Sequence, residues 1–173
     1  KMAKRAGKYK ITKRESAVSV IDGGTVDGII VGSRRNVIAL TDAGAAGAIR
    51  TALTEAESGT IFTVPELTTG TQTIALPAPK VGLSYTFVTV DTADQIFKVE
   101  TDVSATKILA VKPDGAGNNT AISQGYDSIG FKAAAVLGSQ FTCTCISTTA
   151  AVAWIAHDVV DGLAANVGSI DLA

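Results

Sequence analysis

Short strand-forming runs recur about every ten residues along most of this chain, each closed by a turn signal. Residues 60–64 alternate Ile and Phe with Thr. Residues 72–76 sit between Gly70 and Pro77, and 84–90 read Ser-Tyr-Thr-Phe-Val-Thr-Val. Further runs fall at 95–100, 107–112, 128–137, 140–148 and 151–156. In a strand, alternate side chains face opposite sides, so such runs each bury one face. The spacing predicts an all-β fold: a small β-sandwich or barrel of short antiparallel strands, with an extended N-terminal arm and at most one short helix. No internal repeat of fixed period stands out in the sequence.

The flanks read differently. Residues 16–21 and 25–31 are extended in character and are joined by Asp22-Gly23-Gly24, which predicts a hairpin; 36–40 is a third short run. Residues 1–40 are therefore expected to be an arm, 41–158 the body, and 159–173 a C-terminal arm or tail. The Ala-rich stretch 42–57 is the one region of helical composition. Gly44 and Gly47 weaken its first half, which leaves a turn or two of helix over 49–57, capped by Gly59. One Trp, three Tyr and five Phe predict a thin core built mostly of Ala, Val, Ile and Thr. Only 18% of residues are charged and mean hydropathy is +0.30, a surface suited to burial against neighbours.

Charge is distributed unevenly. Residues 1–14 hold seven of the fifteen Lys and Arg residues and no acid; the remainder has eight basic against sixteen acidic residues, a net −8. A basic arm on an acidic body seeks an anionic partner. Lys4, Arg5, Lys8, Lys10, Lys13, Arg14, Arg34 and Arg35 are the candidate partner-binding residues. Tyr9 is the single aromatic among them, so a stacking platform for nucleic acid is missing and no specific nucleic-acid partner is expected. No apolar run approaches the ~18 residues that cross a bilayer, and no apolar segment behind the basic stretch marks a secretory signal. No membrane partner is expected.

Candidate chemistry is sparse. The sole histidine, His157, precedes Asp158, but no G-x-S-x-G elbow exists. His157 reads as a strand-end residue with ordinary hydrogen bonds, without a nucleophile and an orienting group assembled around it. Cys143 and Cys145 share one face of a strand run, with Cα atoms ~6.6 Å apart, near the limit for a disulfide, and read as free buried thiols. The loop Asp114-Gly115-Ala116-Gly117-Asn118-Asn119 lacks the spacing of a calcium loop and of a phosphate loop; turn chemistry accounts for it. Glu55 with Glu57, and Asp91 with Asp94, read as solvated faces. No catalytic residue, metal or cofactor is expected.

One stretch carries a resemblance. Leu53-Thr54-Glu55-Ala56-Glu57-Ser58-Gly59-Thr60-Ile61-Phe62 is followed by Thr73-Ile74-Ala75-Leu76-Pro77-Ala78-Pro79, then by Val81-Gly82-Leu83-Ser84-Tyr85-Thr86-Phe87, with Trp154 late in an alternating strand. This order resembles the capsid decoration, or cement, proteins of tailed bacteriophages over about residues 50–156. The resemblance implies a non-enzymatic virion protein on the capsid surface. It would bridge subunits of the major capsid protein and associate with itself, most simply as a homotrimer. Another virion subunit (tail tube, head fibre or adaptor) is the alternative, and a carbohydrate-binding module a more distant one.

Overall fold

The structure is a computed structural model and describes residues 36–91, 94–101, 107–113, 119–121, 125–133, 135–149, 151–160 and 170–172. The chain divides between Arg34 and Arg35. The candidate arm residues Lys4, Arg5, Lys8, Lys10, Lys13, Arg14, Arg34 and Arg35 and the hairpin expected over 16–31 lie outside the described residues.

Twelve strands are described: β1 (Val37–Ala39), β2 (Gly47–Ala48), β3 (Ile61–Val64), β4 (Gln72–Ala75), β5 (Ser84–Thr89), β6 (Phe97–Glu100), β7 (Lys107–Pro113), β8 (Asn119–Ala121), β9 (Ser128–Phe131), β10 (Gln140–Cys145), β11 (Val152–Val160) and β12 (Ile170–Leu172). They form two sheets. Sheet 1 runs β1-β3-β5-β10-β11-β7-β8 and sheet 2 runs β12-β9-β6-β4-β2.

From β1 to β6 the chain winds as a coil. Odd-numbered strands enter sheet 1 and even-numbered strands enter sheet 2, so each strand lies parallel to the one two before it. Val37 aligns with Ile61 and Ile61 with Thr86; Gly47 aligns with Gln72 and Gln72 with Phe97. Each turn of the coil thus takes 24 or 25 residues. Equivalent inward positions stack along it. In sheet 1 Ile38, Phe62 and Phe87 are in register, and in sheet 2 Ile74 is in register with Val99. The winding ends after β6. There β9 pairs antiparallel with β6 and β10 antiparallel with β5, while β11 bridges antiparallel β10 and parallel β7.

The expected sandwich or barrel of antiparallel strands is therefore overturned. Both sheets are mixed, and of the ten strand pairings among the described residues five are parallel. The strand runs themselves fall near their expected places. The links between them run seven or more residues through the coil, too long for two-residue hairpins and long enough to cross ~10 Å to the other sheet. The expectation of no internal repeat is corrected with it: a structural repeat is present, carried by apolar positions too interchangeable to register as sequence identity.

Three local expectations also change. The Ala-rich region is not helical over 49–57. Its first half is β2 and only Glu55–Glu57 winds, as a single 3-10 turn. Thr54 caps that turn with Glu57, whose carboxylate accepts from the Thr54 amide at 2.9 Å and from Arg50 at 2.7 Å. Residues 37–39, placed in the arm by their sequence, pair with β3 inside sheet 1. At the other end Ile170–Leu172, expected in a C-terminal arm or tail, pair with β9 at the edge of sheet 2.

The core is not an Ala/Val/Thr layer. All five phenylalanines are fully buried between the sheets. Phe87 lies 5.5 Å from Phe62, 5.3 Å from Phe141 and 5.8 Å from Phe97; Phe131 joins Phe97 at 6.1 Å and Phe141 at 5.0 Å. Phe62, Phe87 and Phe141 come from sheet 1, Phe97 and Phe131 from sheet 2, so the seam of rings locks the two layers together. Trp154 and Tyr85 form a separate ring pair at 6.1 Å in the same core. Where β9 crosses β6, a Cβ built on Gly130 would lie 1.8 Å from the Phe97 carbonyl oxygen, so only glycine fits.

Candidate functional site

Three places in the body gather polar or unpaired groups: the turns on one side of the coil, the outer face of sheet 1, and the end of the coil at β1 and β2.

The turn that leads from sheet 1 to sheet 2 carries an acid in each coil: Asp42, Glu66 and Asp91. Asp42 is an organising residue. Its carboxylate accepts from the Gly44 amide at 2.9 Å, from the Thr68 hydroxyl at 2.6 Å, from the Thr68 amide at 3.1 Å and from the Gln72 side chain. The fully buried Gln72 in turn accepts from the Ala43 amide at 3.0 Å. These bonds tie the first turn to the second and hold the Asp42 carboxyl well below its usual range, the Thr68 and Gln72 side chains contributing most. Glu66 moves the other way, raised chiefly by the charge of Asp94, with Asp91 and Asp42 adding to it. Among the described residues no group of His, Cys, Asp and Glu side chains has the arrangement of a metal site.

On the outer face of sheet 1, hydroxyls pair across strands. Ser84 meets Thr144 at 3.2 Å and Thr86 meets Thr142 at 3.0 Å. His157 joins this ladder, its Nε2 being 2.8 Å from the Thr144 hydroxyl and its Nδ1 2.9 Å from the Asp158 carboxylate. The structure thus assembles a carboxylate, imidazole and hydroxyl chain that the sequence reading did not anticipate. Asp158 has φ +52°, the one described non-glycine residue in the left-handed region. It lies where the β10–β11 register slips, Gln140 facing Val160 and Thr142 facing His157, which places the conformation in a bulge. The order of groups is that of a hydrolytic triad, but its surroundings are not. Thr144 sits mid-strand in β10, between β5 and β11, whose ladders engage the backbone amides that an oxyanion would need. The imidazole is oriented here, but among the described residues the backbone of β10 beside the hydroxyl is paired on both sides.

Cys143 and Cys145 point into the core as free thiols. Burial alone pushes the Cys143 thiol far above its ordinary value, which makes it unreactive. Trp154 is a core residue with no exposure. Glu55 pairs with Lys80 at 2.6 Å and Glu57 with Arg50, so this carboxylate pair braces the 3-10 turn. Residues 114–118 of the Asp- and Asn-rich loop lie outside the described residues.

The third place is the start of the coil. Among the described residues β1 ends sheet 1 and β2 ends sheet 2, so both layers finish at the same end of the stack. β1 is Val-Ile-Ala and β2 is Gly-Ala, with no charge, no proline and no bulge; Val37 is 58% exposed. Edge strands of monomers are ordinarily shielded by such devices, because a bare edge pairs with other chains. Sequence reasoning missed this site, since which strand forms an edge is decided by the pairing. The absence of Lys, Glu and Pro from 37–49 was its one visible signal.

No protein-family model matches this chain, and no curated protein matches its sequence. Among the described residues no helix is long and apolar enough to cross a membrane.

Proposed function

We propose that this chain is a virion structural subunit that coats a bacteriophage capsid, binding the major capsid protein and copies of itself, most simply as a homotrimer. The observation that carries the reading is the double edge that β1 and β2 form among the described residues, in a chain whose residues 1–14 hold seven positive charges and no acid. A chain with 18% charged residues, whose described strands β1 and β2 end the two sheets without charge or proline, is suited to assembly. The resemblance of residues 50–156 to phage cement proteins supplies the partner. The task is mechanical: bridging neighbouring capsid subunits through apolar burial and main-chain pairing, with the basic segment guiding approach to an anionic surface.

The test is co-sedimentation with undecorated capsids built from the major capsid protein of the same genome, at low and high salt. The full chain is expected to bind, more weakly as salt rises. Deleting residues 1–14 is expected to weaken binding and flatten its salt dependence while the circular-dichroism spectrum of the body is retained. Undiminished binding by the deletion at every salt concentration would remove the basic segment from the mechanism, and no binding by the full chain would refute the capsid reading.

A further inference from the structure

The outer face of sheet 1 is almost free of charge. Val37, Ile61, Thr86, Thr142 and His157 stand opposite one another across β1, β3, β5, β10 and β11. These five strands hold no Lys or Arg and a single carboxylate, Asp158, which is bonded to His157 at 2.9 Å. Surfaces built to stay in water carry about 25–35% Lys, Arg, Asp and Glu. Charge returns at the borders: Lys107 on β7, next to β11, pairs with Asp127, and Lys80, ahead of β5, pairs with Glu55, ahead of β3. Sheet 2 differs, its outer face carrying Lys98 and Glu100 on β6. An uncharged centre inside a charged rim is the anatomy of a protein interface.

The hydroxyls of this face find their partners within the sheet. Ser84 bonds Thr144, Thr86 bonds Thr142, and Thr144 also meets His157. Covering the face therefore strands few polar groups, and the penalty for burying unpaired donors is small. The remaining side chains are apolar, with Val37 58% and Val160 46% exposed.

We infer that this face is the contact between copies of the chain: the outer face of sheet 1 packs on the same face of its neighbours around a common axis. The inference rests on the reading of the chain as a self-associating subunit, and not on the capsid as its partner. Charge selects a second copy as the occupant. Beyond residue 14 each copy carries eight more acidic than basic residues, so copies repel where charged surfaces meet, and on this face that repulsion is least. A charged partner would find no counter-charge here, whereas an identical face, with its hydroxyls already paired, is its own complement. The size is adequate. Five strands ~4.8 Å apart, each of about five residues at ~3.3 Å, span roughly 24 by 17 Å, about 400 Å² per copy in projection and more in accessible area, against about 800 Å² per partner in a stable complex.

Sedimentation of the untagged full-length chain at micromolar concentration tests this. The unmodified chain is expected to sediment as an oligomer. Thr86→Lys and Thr63→Lys each place a charge within the face and should weaken association by about a hundredfold or more, because like charges then meet across the contact. The circular-dichroism spectrum should be unchanged, since neither position faces the core. Thr73→Lys, at a comparable outward position on β4 of sheet 2, should leave the oligomer intact. His157 gives a reading without mutation. This single histidine, its side chain 41% exposed, should react with diethylpyrocarbonate several-fold more slowly in the oligomer than after dilution to monomer. Should a lysine variant lose its native spectrum, the labelling decides. A chain that is monomeric throughout, an oligomer that survives both sheet 1 substitutions, or equal labelling of His157 in oligomer and monomer overturns the inference. Dissociation by Thr73→Lys moves the contact to sheet 2 and overturns it too. Capsid binding by the unmodified chain is scored separately, so an oligomer broken by Thr86→Lys that binds no capsid refutes the proposed function alone.

Discussion

Replacing Phe87 by alanine tests whether the aromatic seam holds the two sheets together. Phe87 is fully buried and has three ring neighbours between 5.3 and 5.8 Å, two in its own sheet and one in the facing sheet. A buried Phe→Ala change costs about 3–5 kcal/mol through lost transfer energy and the cavity left behind. Each aromatic pair adds ~0.5–1.5 kcal/mol beyond area, which puts this site at the upper end, ~5 kcal/mol. For a chain of this length that corresponds to a fall in Tm of roughly 10–20 °C. Urea and thermal unfolding followed by circular dichroism give the value, with Leu137→Ala, at a 66% exposed position, as a control expected to stay within ~0.5 kcal/mol. A loss below ~2 kcal/mol at unchanged denaturant slope would refute the reasoning, because the facing rings could not then be packed on Phe87.

Three further outcomes are expected. Gly130→Ala has no room for its methyl group against the Phe97 carbonyl and should prevent folding or cost at least ~3 kcal/mol by forcing β9 from β6; near-native stability in urea would refute that pairing. Glu66 has its folded pKa raised by neighbouring carboxylates, so its ionisation opposes folding at pH above that value. Glu66→Gln should therefore raise Tm at pH 7, with the gain vanishing as the pH falls and Glu66 is protonated; an equal gain at acid pH would point to another cause. His157→Ala should cost no more than about 1–2 kcal/mol, since Thr144 keeps its contact with Ser84, and a hydrolytic activity abolished by the change would overturn the structural role given to the imidazole.

Much of the local structure was legible in the sequence because strand character is a property of neighbouring residues. The alternation in 84–89 buries Tyr85, Phe87 and Thr89 and leaves Ser84, Thr86 and Val88 on the other face. Gly59, at positive φ, stops the short turn before β3 where the sequence placed a capping glycine. The basic character of residues 1–14 needs no structure at all.

What the sequence by itself determined is therefore where strands begin and end, and how charge is divided between the first residues and the rest. Only the tertiary structure decided which strands are neighbours. Val37, Ile61 and Thr86 share a row because the chain crosses between sheets and returns every 24 or 25 residues. No local pattern distinguishes that path from a string of hairpins. It is fixed by burial of five distant phenylalanines in one seam, by Asp42 reaching Thr68 and Gln72, and by the missing Cβ at Gly130. That β1 and β2 end their sheets among the described residues follows from the same cause. An edge is defined by the partner it lacks, and partners in this fold are set by long-range packing.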